Sequence, residues 1–156
     1  MTEIIQGIRG GTKGAGREYK VAATQYFHRR GGKFVTIAAG KISVHASVTR
    51  GDGFLLGWAN TPKDAAGQDY WVSSSTAGKD KVFVYTDLDM VYEMPFKNSA
   101  VASLDASIIG RGLDIATPLR VQTAFCGKNA SPIVCVGIDQ VNTTVYVKIK
   151  PAYKAT

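Results

Sequence analysis

The chain has little of what enzymes and secreted scaffolds are built from: two cysteines, two histidines and five prolines in 156 residues. A Ser/His/Asp or Cys/His nucleophilic centre needs a histidine beside its nucleophile, and only His28 and His45 are present. His28 sits in "YFHRRGGK", where Arg29, Arg30 and Lys33 disfavour its protonation. His45 falls on the polar side of "KISVHASV", opposite Ile42, Val44, Ala46 and Val48. HExxH, GxSxG and EF-hand patterns are missing, so no cofactor is expected and any enzymatic reading rests on carboxylates. Cys126 and Cys135, on either side of "GKNASP", fit neither CxxC redox spacing nor a four-ligand zinc pattern, and are read as buried reduced thiols.

Long apolar runs are missing too. None approaches the roughly 18 to 20 residues of a membrane helix. The opening "MTEIIQGIRGG" lacks a basic stretch followed by an apolar run and a small-residue cleavage site, so synthesis in the cytoplasm without export is expected. Without export, the triplets at Asn129 and Asn142 mark only exposed turns. No repeat or low-complexity linker divides the chain, and its length suits one domain with its own core.

What the chain has is positive charge, unevenly placed. Its formal charge is +7, and residues 1–33 alone carry seven Lys/Arg against Glu3 and Glu18, a local +5. Residues 52–93 invert this, with seven Asp/Glu against three Lys, a local −4. Such a dipolar surface suits docking onto something acidic or onto copies of itself. The basic beginning, "GIRGGTKGAGREYK", holds five glycines between Gly7 and Gly16, which disfavour helix and strand alike. It matches neither GxxxxGK[ST] nor GxGxxG, so residues 1–17 are expected to form a flexible Gly-rich basic arm.

Beyond the arm, residues 18–156 read as a single β domain. Short β-branched and aromatic runs are bounded by Gly, Asn or Asp, and helix signals are scarce. Strands are expected at Tyr19–Ala23, Lys33–Ala38, Lys41–Thr49, Gly53–Ala59, Asp69–Ser73 and Lys81–Tyr85. Five more follow at Leu88–Met94, Gly112–Ile115, Leu119–Phe125, Ile133–Ile138 and Thr143–Lys150. In the last, Val145, Val147 and Ile149 alternate with Tyr146, Lys148 and Lys150, giving one dry face. "ASLDASIIGRGLDI" reads as extended or loop, since Gly110 and Gly112 would stop a helix. The fold class is all-β, a small antiparallel barrel or sandwich.

Two groups of residues suggest chemistry. "TDLDMVYEMPF" brings Asp87, Asp89 and Glu93 close together, as a metal site or a carboxylate-dependent hydrolase needs. Laid on a strand, Leu88, Met90, Tyr92 and Met94 face a core and the three carboxylates share the outer side, which Pro95 ends. Tyr19, Tyr26 and Phe27, among Arg17, Arg29 and Arg30, offer a stacking platform for single-stranded nucleic acid, although Tyr and Phe beside Arg are about as often strand-end core residues.

The run "VFVYTDLDMVYEMPF", then "NSAVASLDAS", "IIGRGLDI" and the closing "VYVKIKP", resembles head decoration (cement) proteins of tailed double-stranded DNA bacteriophages. The resemblance spans Val82 to Pro151 and rests on the order of features and on the strand end Tyr92 to Pro95; the Gly-rich beginning has no match in it. It implies a small barrel or sandwich without enzymatic activity, bound in many copies, often as trimers, to the major capsid protein on the outside of a virion. On that reading Arg9, Lys13, Arg17, Arg29 and Arg30 contact the shell, with the acidic strand side facing solvent or a neighbouring copy. Nucleic-acid binding through Tyr19, Tyr26 and Phe27 is the alternative.

Overall fold

The structure, a computed structural model, describes residues 7–10, 16–28, 32–44, 55–61, 70–86, 90–98, 103–116, 122–126 and 132–153. These residues are all-β. The strands are β1 (Gly7–Gly10), β2 (Gly16–Val21), β3 (Tyr26–His28), β4 (Gly32–Ala38), β5 (Lys41–Val44), β6 (Leu55–Asn60) and β7 (Tyr70–Val72). They continue with β8 (Lys81–Tyr85), β9 (Val91–Pro95), β10 (Gly112–Ala116), β11 (Thr123–Phe125), β12 (Ile133–Asp139) and β13 (Thr144–Ile149). Among the described residues no helix is long and apolar enough to cross a membrane.

Five strands close a barrel in the order β2-β5-β4-β6-β8. It is not purely antiparallel, because β2 runs parallel to β5. A second, six-stranded sheet has the order β1-β9-β13-β12-β10-β11, and β3 pairs with β7 as a short ribbon. The six-stranded sheet curls: the Lys97 N–H donates to the Ala124 carbonyl at 2.8 Å, drawing β11 against the end of β9.

The barrel and the sheet are joined because β4 and β6 are apolar on both faces. Val35 and Ala59 meet Tyr19, Val21, Phe27, Ile42, Val82 and Val84 in one buried cluster. Phe34, Leu56 and Trp58 enter the other, with Tyr92, Met94, Val145 and Val147 of the sheet. Strands covered on both sides read as near-continuous apolar runs, as "KFVTIA" and "LLGWA" do. Gly57 leaves room in β6, since a Cβ there would stand 3.2 Å from the Tyr85 carbonyl oxygen on β8.

Three rings form the joint. Trp58 stacks on Tyr92 with centroids 4.8 Å apart, and Phe34 meets both edge-on at 5.0 and 5.1 Å. Such pairs contribute about 0.5 to 1.5 kcal/mol each beyond the area they bury. Beside them the buried Gln122 side chain acts as a strand neighbour of Phe34: its Oε1 accepts the Phe34 N–H at 2.7 Å and its Nε2 donates to the Phe34 carbonyl at 2.7 Å.

The eleven expected strands are all present where their residues are described, some shorter than expected, and two were not foreseen, β1 and β3. Within the expected arm, the described residues 7–10 and 16–17 lie in strands. Gly7–Gly10 pairs with β9, and β2 begins at Gly16, so it crosses the expected boundary after residue 17. Glycine at 16 is what lets β2 approach β8: a Cβ there would stand 2.6 Å from the Val84 carbonyl oxygen and 2.7 Å from the Phe83 ring. "ASLDASIIGRG" forms a single 3-10 turn, Ala106–Ile108, whose Ser107 N–H donates to the Asp105 side chain at 2.8 Å. It anchors the buried Ile108 before Gly110, at φ 88, turns the chain into β10.

Replacing Gln122 by Ala strands a buried N–H and a buried carbonyl on Phe34. Unfolding by urea is expected to show a loss of about 3 kcal/mol, from two polar groups at about 1 to 3 kcal/mol each. A loss below about 1 kcal/mol would mean that the clamp does not join the two units.

Candidate functional site

The carboxylate group divides differently from expectation. Asp87, Leu88 and Asp89 lie outside the described residues. Met90, Tyr92 and Met94 are fully buried, as strand alternation requires, and Pro95 closes β9. Glu93 is not outside the core: it is 4% exposed and accepts the Thr144 hydroxyl at 2.6 Å. The reason is its position in the sheet, between Gly7 on β1 and Tyr146 on β13, so neighbours on both sides shield it. Among the described residues no three of His, Cys, Asp and Glu group as metal ligands.

The expected aromatic platform is not open. Phe27 is fully buried beside Trp71, and Tyr19 is 6% exposed, so both rings belong to the barrel's core. Only Tyr26 is half-buried, with its ring edge-on to Tyr70 at 5.4 Å. Their chemistry is that of strand-end core residues, the reading that the sequence held in parallel.

The basic residues also redistribute. Lys33 is fully buried and donates to the Tyr26 carbonyl at 2.9 Å, so it adds nothing to the surface charge. Arg9 lies where β1 slips register against β9, between Ile8 and Gly10. Lys13, Arg29 and Arg30 lie outside the described residues, as does His45. Arg17 is exposed on β2 with its guanidinium 4.7 Å from the Tyr19 ring centre, a cation-π contact.

Arg17 opens onto a site that the sequence did not reveal. Across three neighbouring barrel strands, Lys20 is in register with Lys41 on one side and with Lys81 on the other. In-register neighbours share a face, so three ammonium groups form one row, and all three side chains are exposed. The turn before Lys41 sets this up, with positive φ at Ala39 (52) and Gly40 (74) as a two-residue hairpin needs. The stems of Lys20 and Lys41 converge: Lys20 Cδ and Lys41 Cε stand 3.6 and 3.5 Å from where a Cβ on Gly78 would be. The row borders an open depression of about 550 Å³ lined by Arg17, Glu18, Tyr19, Lys20, Lys41 and Lys81.

Phe83 adds an apolar spot to the same face. It lies two positions along β8 from Lys81, is 45% exposed, packs over Gly16 and meets Tyr85 edge-on at 5.0 Å. Its in-register neighbour on β2 is Glu18. The face therefore holds a cationic row, one carboxylate and one exposed ring. Residues 20, 41 and 81 are far apart in sequence, and the only signal was that two of them, Lys41 and Lys81, begin expected strands.

Cys126 and Cys135 are free and buried, and the Cys135 thiol donates to the Gly137 carbonyl at 3.2 Å. Burial pushes both thiols above their usual range. The stability this brings is complete below an ordinary thiol pKa and is lost as pH climbs through the raised values.

Two outcomes follow. Lys20→Gln relieves repulsion on both sides of β2, so chemical denaturation at low salt is expected to show a gain of about 0.5 kcal/mol; no gain, or a loss, contradicts the row. Iodoacetamide at neutral pH is expected to leave both thiols intact in the native protein and to label both in urea; labelling of the native protein contradicts their burial. Comparisons with protein families, with curated proteins and with solved structures find no match for this chain.

Proposed function

We propose that the chain is a structural virion protein that binds the outside of a phage capsid and reinforces contacts between major capsid subunits. The observation that carries this reading is the outward lysine row on a tightly joined β body. Like charges directly opposite on neighbouring strands lower stability, and among the described residues no carboxylate pairs with these three. An acidic counter-surface on a larger assembly offsets that repulsion and gains charge-assisted contacts. The order of features from Val82 to Pro151, which resembles decoration proteins, supports the same role.

On this reading the protein is a homo-oligomer, with a trimer favoured, that needs no cofactor and catalyses no reaction. Each copy makes modest contacts across a junction between shell subunits, and many copies together raise the cost of separating them. Arg9, Lys13, Arg17, Arg29 and Arg30 are proposed as contacts to the shell, with Arg17 beside the lysine row. Nucleic-acid binding through Tyr19, Tyr26 and Phe27 is not carried further, because two of those rings are enclosed in the barrel.

The test is co-sedimentation with undecorated capsids over a range of salt. Saturable binding that weakens as salt rises, with shells that disassemble at a higher temperature once decorated, is the expected result. No co-sedimentation at low salt would remove the proposal.

A further inference from the structure

We propose that the outer face of strands β5, β2 and β8 takes an acidic protein segment that presents carboxylates and an apolar side chain on one and the same face. This deepens the docking reading above by naming the chemistry of the surface the barrel meets. The lysine row supplies the charge. Neighbouring strands lie about 4.8 Å apart, so Lys41, Lys20 and Lys81 span roughly 10 Å, within reach of two carboxylates on one face of an extended segment, about 7 Å apart.

The row is arranged for this and not only for solubility. The stems of Lys20 and Lys41 both pass over Gly78, and the depression beside them is open to a ligand. Phe83, on the same face two positions from Lys81, receives an apolar side chain of the segment. Gly16 beneath it and Tyr85 at its edge fix the ring before the partner arrives, so little ordering entropy is lost on binding.

A phosphodiester chain fits less well. It carries a charge at every nucleotide and needs a continuous cationic groove leading to its stacking rings. Here Glu18 stands between the lysine row and the end of β2, opposite Phe83, so the cationic track is interrupted where a base would stack. An acidic segment meets the charges at one row and the ring at the next. Glu18 then repels a carboxylate placed beside Phe83, which favours an apolar residue there.

Fluorescence anisotropy on the full chain tests this with two labelled probes, a peptide carrying Glu, Glu and Leu at every second position with Ser between them, so that all three share a face when it is extended, and an oligothymidylate of equal net charge. The peptide is expected to bind more tightly than the oligonucleotide. Combining Lys20→Gln, Lys41→Gln and Lys81→Gln should weaken the peptide about tenfold, from the exposed charge contacts of two carboxylates with the row, while the variant unfolds cooperatively and at no lower denaturant concentration than the parent. Phe83→Ser should weaken it by less, and a peptide with Gln in place of Glu should not bind. Peptide affinity indifferent to the lysines, or tighter binding of the oligonucleotide through the same lysines, overturns the proposal. Sedimentation with undecorated capsids separates it from the reading it rests on. Capsids that bind parent and lysine variant alike keep the decoration reading and overturn this site; lysine-dependent peptide binding without capsid binding keeps this site and overturns decoration.

Discussion

Strands β4 and β6 are buried on both faces, and that constraint organises the rest of the molecule. One face of each fills the barrel through Val35 and Ala59, and the other presents Phe34, Leu56 and Trp58 to the six-stranded sheet. Neither unit can be removed without exposing a large aromatic surface of the other. Trp58 on Tyr92, with Phe34 edge-on to both, supplies dispersion and burial at the joint. Gln122 supplies direction, because its amide matches the donor and acceptor of Phe34 and so fixes where the curled end of the sheet meets the barrel.

Polar groups drawn inside by this arrangement are tied to partners. Lys33 reaches the Tyr26 carbonyl, and Glu93 takes the Thr144 hydroxyl. A buried charge is tolerable only with such partners, and removing one strands the other. These ties take two of the charges counted in the sequence, one of each sign, out of the surface. Lys33 and Glu93 are inside, and Asp80 is engaged by the Ser74 N–H at 2.6 Å. The positive face that remains is made by register instead of composition, through β2 lying between β5 and β8.

Strand identity was legible because its signals are local. Lys81–Tyr85 has the bounds expected of it, and Val145, Val147 and Ile149 are buried as their alternation required. The strands that escaped were those without local signal. Gly7–Gly10 has glycine at both ends and takes its ladder from β9, and Tyr26–His28 is only three residues, held by pairing with β7. Alternation also placed Glu93 on the polar side of its own strand. Whether that side is wet depends on β1 and β13, which no window around Glu93 contains. The lysine row was hidden for the same reason, since a parallel pairing of β2 with β5 joins positions 20 and 41 in a way that turn chemistry does not announce.

The central claim is that barrel and sheet fold as one body around the Phe34, Trp58 and Tyr92 cluster. Its most direct test uses a Trp71→Phe variant, which leaves Trp58 as the only tryptophan and so as a reporter at the joint. Urea unfolding followed by Trp58 fluorescence and by far-ultraviolet circular dichroism should give superimposable single transitions. Dichroism lost in two steps, with Trp58 responding to only one of them, would contradict the account.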